Sequence, residues 1–95
     1  MLKHIVCFKL NDGESCDAAK NVLLGMKGKV PMIRNIEVGI DALHSQRSYD
    51  LMLTVWLDDM SALDAYQADE YHVGVVKKYM HSVIKSSIAI DYYTE

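Results

Sequence analysis

Between Lys3 and Leu10 the side chains fall into two alternating sets, His4/Val6/Phe8/Leu10 and Lys3/Ile5/Cys7/Lys9, rich in β-branched and aromatic types. Alternation with period two predicts a first strand. After the turn cluster Asn11-Asp12-Gly13, residues Ala19, Val22, Leu23 and Met26 recur at helical spacing, which predicts an amphipathic helix with Ser15 or Asp17 as N-cap. That helix is expected to stop near Gly28, because Val30 precedes Pro31 and is disfavoured from helical dihedrals. Residues 33–40 alternate again, with Ile36, Val38 and Ile40 on one side, as a half-buried second strand. A polar loop over 41–48 leads to the clearest strand, 49–57, where Tyr49, Leu51, Leu53, Val55 and Leu57 oppose Asp50, Met52, Thr54 and Trp56.

Ser61 and Asp64 have the spacing of a capping box and mark the start of a second helix, in which Leu63 and Tyr66 share a face. The phase breaks around residues 68–70. Val73, Val76, Met80 and either Val83 or Ile84 then resume helical spacing. Ile88, Ile90 and Tyr92, alternating with Ser87, Ala89 and Asp91, form the last strand. The order is βαββαβ. Two helices that connect strands of one sheet pack on one face of it, giving a single α+β, ferredoxin-like domain over residues 1–95.

Composition bounds the partners. At 95 residues, 51% of them hydrophobic, the chain forms one core. A domain this short buries only about two-thirds of its unfolded surface. Met52 and Trp56 then form an apolar surface on the far side of the sheet, which signals an oligomer. The net charge is −3 and the basic residues are scattered from Lys3 to Lys85, which argues against a nucleic-acid partner. No apolar run approaches the length of a membrane span and no signal segment is recognisable, so the expected setting is cytoplasmic. Cys7 and Cys16 lack C-x-x-C spacing and are read as reduced, inert thiols.

The candidate chemistry lies in His4, Tyr66 and His72. A histidine is suited to removing a carbon-bound proton at neutral pH, and a tyrosine hydroxyl to polarising a carbonyl. Facing one pocket, Tyr66 and His72 would fit proton abstraction α to a carbonyl, with His4 positioning a substrate oxygen. The competing structural roles are a packed Tyr66, a His72 hydrogen-bonded across the irregularity at 68–70, and a satisfied strand histidine at position 4. His44 and His81 read as surface residues, and Asp69 and Glu70 as a solvated acidic rim. The four histidines form no ligand-spaced motif and there is no glycine-rich phosphate loop, so neither metal nor cofactor is expected.

The segments Lys3-His4-Ile5-Val6-Cys7-Phe8-Lys9-Leu10, Ile36-Glu37-Val38-Gly39, Tyr49-Asp50, Ala65-Tyr66-Gln67 and His72-Val73 resemble the stress-responsive dimeric A/B-barrel (Dabb) family over essentially the whole chain. The resemblance implies a homodimer in which two four-stranded sheets meet face to face as an α/β barrel. The face holding Met52 and Trp56, with Ile5, Cys7 and Ala89, would be the one covered. It also implies a pocket between each sheet and its helices. Family members include a plant polyketide cyclase that works without a cofactor, and stress-associated proteins. More distant barrels are cofactor-independent monooxygenases or haem-degrading enzymes.

By match to the cyclase, Tyr66 and His72 fall on its catalytic pair and His4 on a first-strand histidine. Leu51 and Leu23 replace a pocket His and Tyr, which implies a more apolar pocket, and Tyr49 is counted with them as expected lining. Asp69-Glu70 stands where members often have His-Pro. The implied activity is a cofactor-free lyase, cyclase or isomerase acting on a small ketone-bearing or aromatic compound. The rivals are a non-catalytic protein that holds a small hydrophobic molecule or serves the stress response, and a monooxygenase-like enzyme.

Overall fold

The computed structural model describes all 95 residues as four strands and a helical layer. Strands β1 (Leu2–Leu10), β2 (Asn35–Ile40), β3 (Leu51–Leu57) and β4 (Ile84–Tyr93) form one antiparallel sheet in the order β2-β3-β1-β4. This is the ferredoxin-like α+β arrangement. The helices are α1 (Cys16–Leu24), α2 (Met60–Ala68) and α3 (Lys78–Val83), and a π-helical turn at His72–Lys77 lies between α2 and α3 and runs directly into α3. No helix is long and apolar enough to cross a membrane.

The core follows from the alternation. Leu51, Leu53, Val55 and Leu57 of β3 and Leu2, Phe8 and Leu10 of β1 are buried against Ala19, Leu23, Leu63, Val76 and Met80. Each large aliphatic side chain so buried contributes roughly 1.5–3 kcal/mol. Asp50 ties the sheet together, its carboxylate accepting from Leu10 N–H at 2.7 Å while its own N–H donates to the Phe8 carbonyl at 2.8 Å.

Local chemistry moves several boundaries. Ser15 caps α1 by accepting from Ala18 N–H. The α-helix ends at Leu24 rather than near Gly28, and tighter turns carry the chain on through Met26→Leu23 and Lys27→Leu24 bonds. Gly28, at φ 80°, supplies the left-handed residue that breaks the run. At α2 the cap is Asp59, which accepts from Ala62 N–H at 2.9 Å, and not the Ser61/Asp64 box. A carboxylate two residues earlier starts the helix first.

The sheet's other face is open. The register sets Ile5 opposite Thr54 and Ile90, and Cys7 opposite Met52 and Ile88. Met52, Ile88 and Ile90 are 41%, 53% and 60% exposed. At the end of this face the Lys3 ammonium lies over the rings of Trp56 and Tyr92, at 5.1 and 5.8 Å. Ala89 belongs to the opposite face: it pairs with Val6 and lines the cavity described below, so Ile88 and Ile90 take the place expected for it.

Candidate active site

Under the helices, the covered face of the sheet borders a cavity of about 230 Å³. His4 reaches it from β1, Leu23 from α1, Tyr66 from α2 and His72 from the π-helical turn. Leu51 and Tyr49 do not line it. Leu51 is buried in the core, and Tyr49 lies against the Lys9 ammonium; both border a second hollow with Cys7 and Met52.

The break at 68–70 is a capped junction. Asp69 is extended, at φ −61° and ψ 135°, and its carboxylate accepts from the N–H groups of Tyr71 and His72, each at 3.0 Å. The expectation of a solvated rim is therefore corrected for Asp69, which acts as an N-cap. The cap restarts the helix with His72 facing inward, and the wider π winding keeps Val76 and then Met80 on the same side. Val73, expected in the core, is turned out and 45% exposed.

His72 is buried, and its Nδ1 lies 3.0 Å from the Tyr66 carbonyl oxygen. A carbonyl only accepts, so Nδ1 carries the proton and Nε2 keeps its lone pair. Burial holds the pKa below the ordinary 6.5. The Tyr66 carbonyl pulls the other way and the charge of Lys77 adds to the lowering. The ring is thus a neutral base at pH 7.

His4 is held differently. Its Nδ1 donates to Asp91 Oδ1, across the β1–β4 pairing that sets the two residues opposite each other. The carboxylate fixes the ring and leaves Nε2 as its free nitrogen.

Tyr66 sits between the two imidazoles. Its ring stacks on His72, with centroids 4.2 Å apart and planes at 23°, and meets His4 edge-on at 5.5 Å. It has no accessible surface, and its hydroxyl donates to Met26 Sδ at 3.7 Å. Burial pushes the phenol far above its ordinary pKa, so it stays protonated.

Sequence reasoning missed Asp91, the partner of His4, and the polar residues Gln67, Lys77 and Ser87 at the cavity; His81 is exposed, as its surface reading has it, and borders the cavity from outside. Asp91 shares the alternating set of Ser87 and Ala89, so pairing β4 with β1 in register would have found it. No group of three or more His, Cys, Asp or Glu side chains is arranged to hold a metal ion.

A family model described as the stress responsive A/B barrel domain matches residues 2–94. The chain belongs to that family. Among solved structures, this A/B-barrel chain is similar to a dimeric ferredoxin-like protein of unknown function from Bacteroides fragilis, at 25% identity and TM-score 0.78 over 98% of this chain and 95% of that one. A dimeric ferredoxin-like protein from Thermobifida fusca matches at 22% identity and TM-score 0.79, over 98% and 90%. The hydroxynitrile lyase of Passiflora edulis shares the fold at TM-score 0.79, over 99% and 93%, with only 10% identity. No curated protein matches the sequence.

Proposed function

We propose that this A/B-barrel protein is a cytoplasmic homodimer that catalyses cofactor-free proton transfer at a carbon α to a carbonyl, as a lyase, cyclase or isomerase of a small ketone-bearing or aromatic compound. The observation that carries this reading is the hydrogen bond from His72 Nδ1 to the Tyr66 carbonyl, which leaves Nε2 as a lone-pair base in a desolvated cavity. His72 Nε2 takes the carbon-bound proton and becomes imidazolium. Tyr66 O–H, a protonated phenol otherwise bound only to a thioether, turns to the enolate oxygen, and the proton then returns to product carbon. His4, with Nε2 free to accept, holds a substrate hydroxyl.

The homodimer is supported by the apolar open face and by the dimeric state of the Bacteroides and Thermobifida proteins. The Passiflora lyase shares the fold alone, so the lyase reading rests on the imidazole geometry.

The test is exchange of the methylene protons of phenylacetone in D₂O, followed by proton NMR. Wild type is expected to accelerate it by about 10²-fold or more over buffer, the range of general-base catalysis, and folded His72→Ala to lose that acceleration. Equal rates in wild type and variant would contradict the reading. The contact of the Tyr66 hydroxyl with Met26 favours a second reading, a pocket that only holds its ligand; saturable binding of phenylacetone with no exchange would establish it.

A further inference from the structure

The polar residues at the cavity have a charge that the proton transfer does not use. None of the protein's 13 Asp and Glu residues lines it, although they outnumber its 10 Lys and Arg residues. The charged and titratable lining consists of Lys77, His4, His72, His81 and Tyr66. With His72 neutral and the Tyr66 phenol protonated, Lys77 is the one permanently charged side chain of that lining. Lys77 closes the π-helical turn and His81 follows four residues later in α3, a spacing that stacks two side chains on one helix face. Gln67 and Ser87 add neutral hydrogen-bonding groups from α2 and β4.

Lys77 has no counter-ion. The carboxylates that contact a basic or imidazole side chain are Asp91 with His4, Asp58 with Arg34 and Asp41 with His44, and none of them meets Lys77. The Lys77 side chain is half-buried and lines the cavity, so its stem packs at the cavity wall. The lowering of the His72 pKa by Lys77 agrees with a charge directed at the cavity.

We infer that the substrate is a small monocarboxylic acid, its carboxylate held by Lys77 and His81 and its reacting carbon lying deeper, against His72. The volume, about 230 Å³, falls below the roughly 300–1,000 Å³ of drug-sized pockets and favours an acid of one ring or less. The inference deepens the proton-transfer reading and rests on it only for the cavity in which the substrate sits.

Phenylpyruvate and phenylacetone are matched probes: both carry a methylene beside a carbonyl, and they differ in a carboxylate against a methyl group. Titration of each into the dimer, followed by NMR, is expected to show phenylpyruvate binding roughly tenfold tighter, the size of one charge-assisted hydrogen bond. Lys77→Gln should remove that preference without changing phenylacetone affinity, and Lys77→Arg should restore most of it. Equal affinity of the two probes, failure of the acid to bind, or equal weakening of both by Lys77→Gln would overturn the inference. Because these are binding measurements, a preference for the acid in a protein that exchanges no methylene proton would sustain the carboxylate site and remove only the catalytic reading.

Discussion

The covered and open faces of the sheet are built by the same alternation of residues, but they bury their apolar side chains against different things. On the covered face Leu53, Val55 and Leu57 meet helices of the same chain, and the space left over is a cavity edged by two oriented imidazoles. On the open face no helix of the chain covers Met52, Ile88 and Ile90, which stay exposed. The difference is one of polar content. Every imidazole nitrogen that touches the scaffold on the covered side has a named partner, whereas the open side offers flat hydrocarbon and a lysine laid over two aromatic rings. On the proposed reading, the chemistry accordingly belongs to the covered face and the association to the open one.

Five substitutions probe that division. Leu53→Asp places an unpaired carboxylate in the core at a cost above about 4 kcal/mol, a large part of the 5–15 kcal/mol of a typical domain, and should prevent folding. A soluble, cooperatively melting variant would break the assignment of faces. Trp56→Glu puts charge on the open face and should weaken dimerisation by about 2 kcal/mol or more, giving monomer or aggregate by light scattering; an unchanged dimer would move the interface elsewhere. Asp69→Ala removes the acceptor for two amides and should cost about 0.5–2 kcal/mol in thermal unfolding. The effect should extend to the exchange rate, since the same cap aims His72. The smallest effect belongs to Val73→Ser, expected within about 0.5 kcal/mol because the side chain is in solvent, against a clear loss for Val76→Ser. Equal losses would refute the phase set by the π-helical turn.

The sheet was legible because alternation is a local property: His4, Leu53 and Val55 each lie on the face their strand pattern assigns. Ala89 was misassigned because an apolar run on both sides of β4 leaves the register to the partner strand, and only the pairing of Ile5 with Ile90 settles it. The second helical segment was legible as a break but not in its phase. That phase depends on which residue caps it and on a turn of i→i+5 winding, and neither leaves a periodic trace. Asp69 looked like surface charge because its partners are backbone amides. Asp91 and Lys77 were missed for a related reason: each matters only through residues brought near by folding.

His72 ties the fold to the proposed chemistry, and its protonation has a definite sign. Its pKa is lowered in the folded protein, so as pH falls below 6.5 the unfolded chain takes up a proton that the native ring still refuses. The stability contributed by the neutral ring is complete above that pH and is lost as pH falls towards the folded-state pKa. The most direct test of the base assignment is an NMR titration of ¹⁵N-labelled imidazole rings, with His72→Ala to assign the resonances. The expected result is a neutral His72 ring at pH 7, with its proton on Nδ1, that titrates below 6.5. A proton on Nε2, or a ring already charged at pH 7, would contradict it.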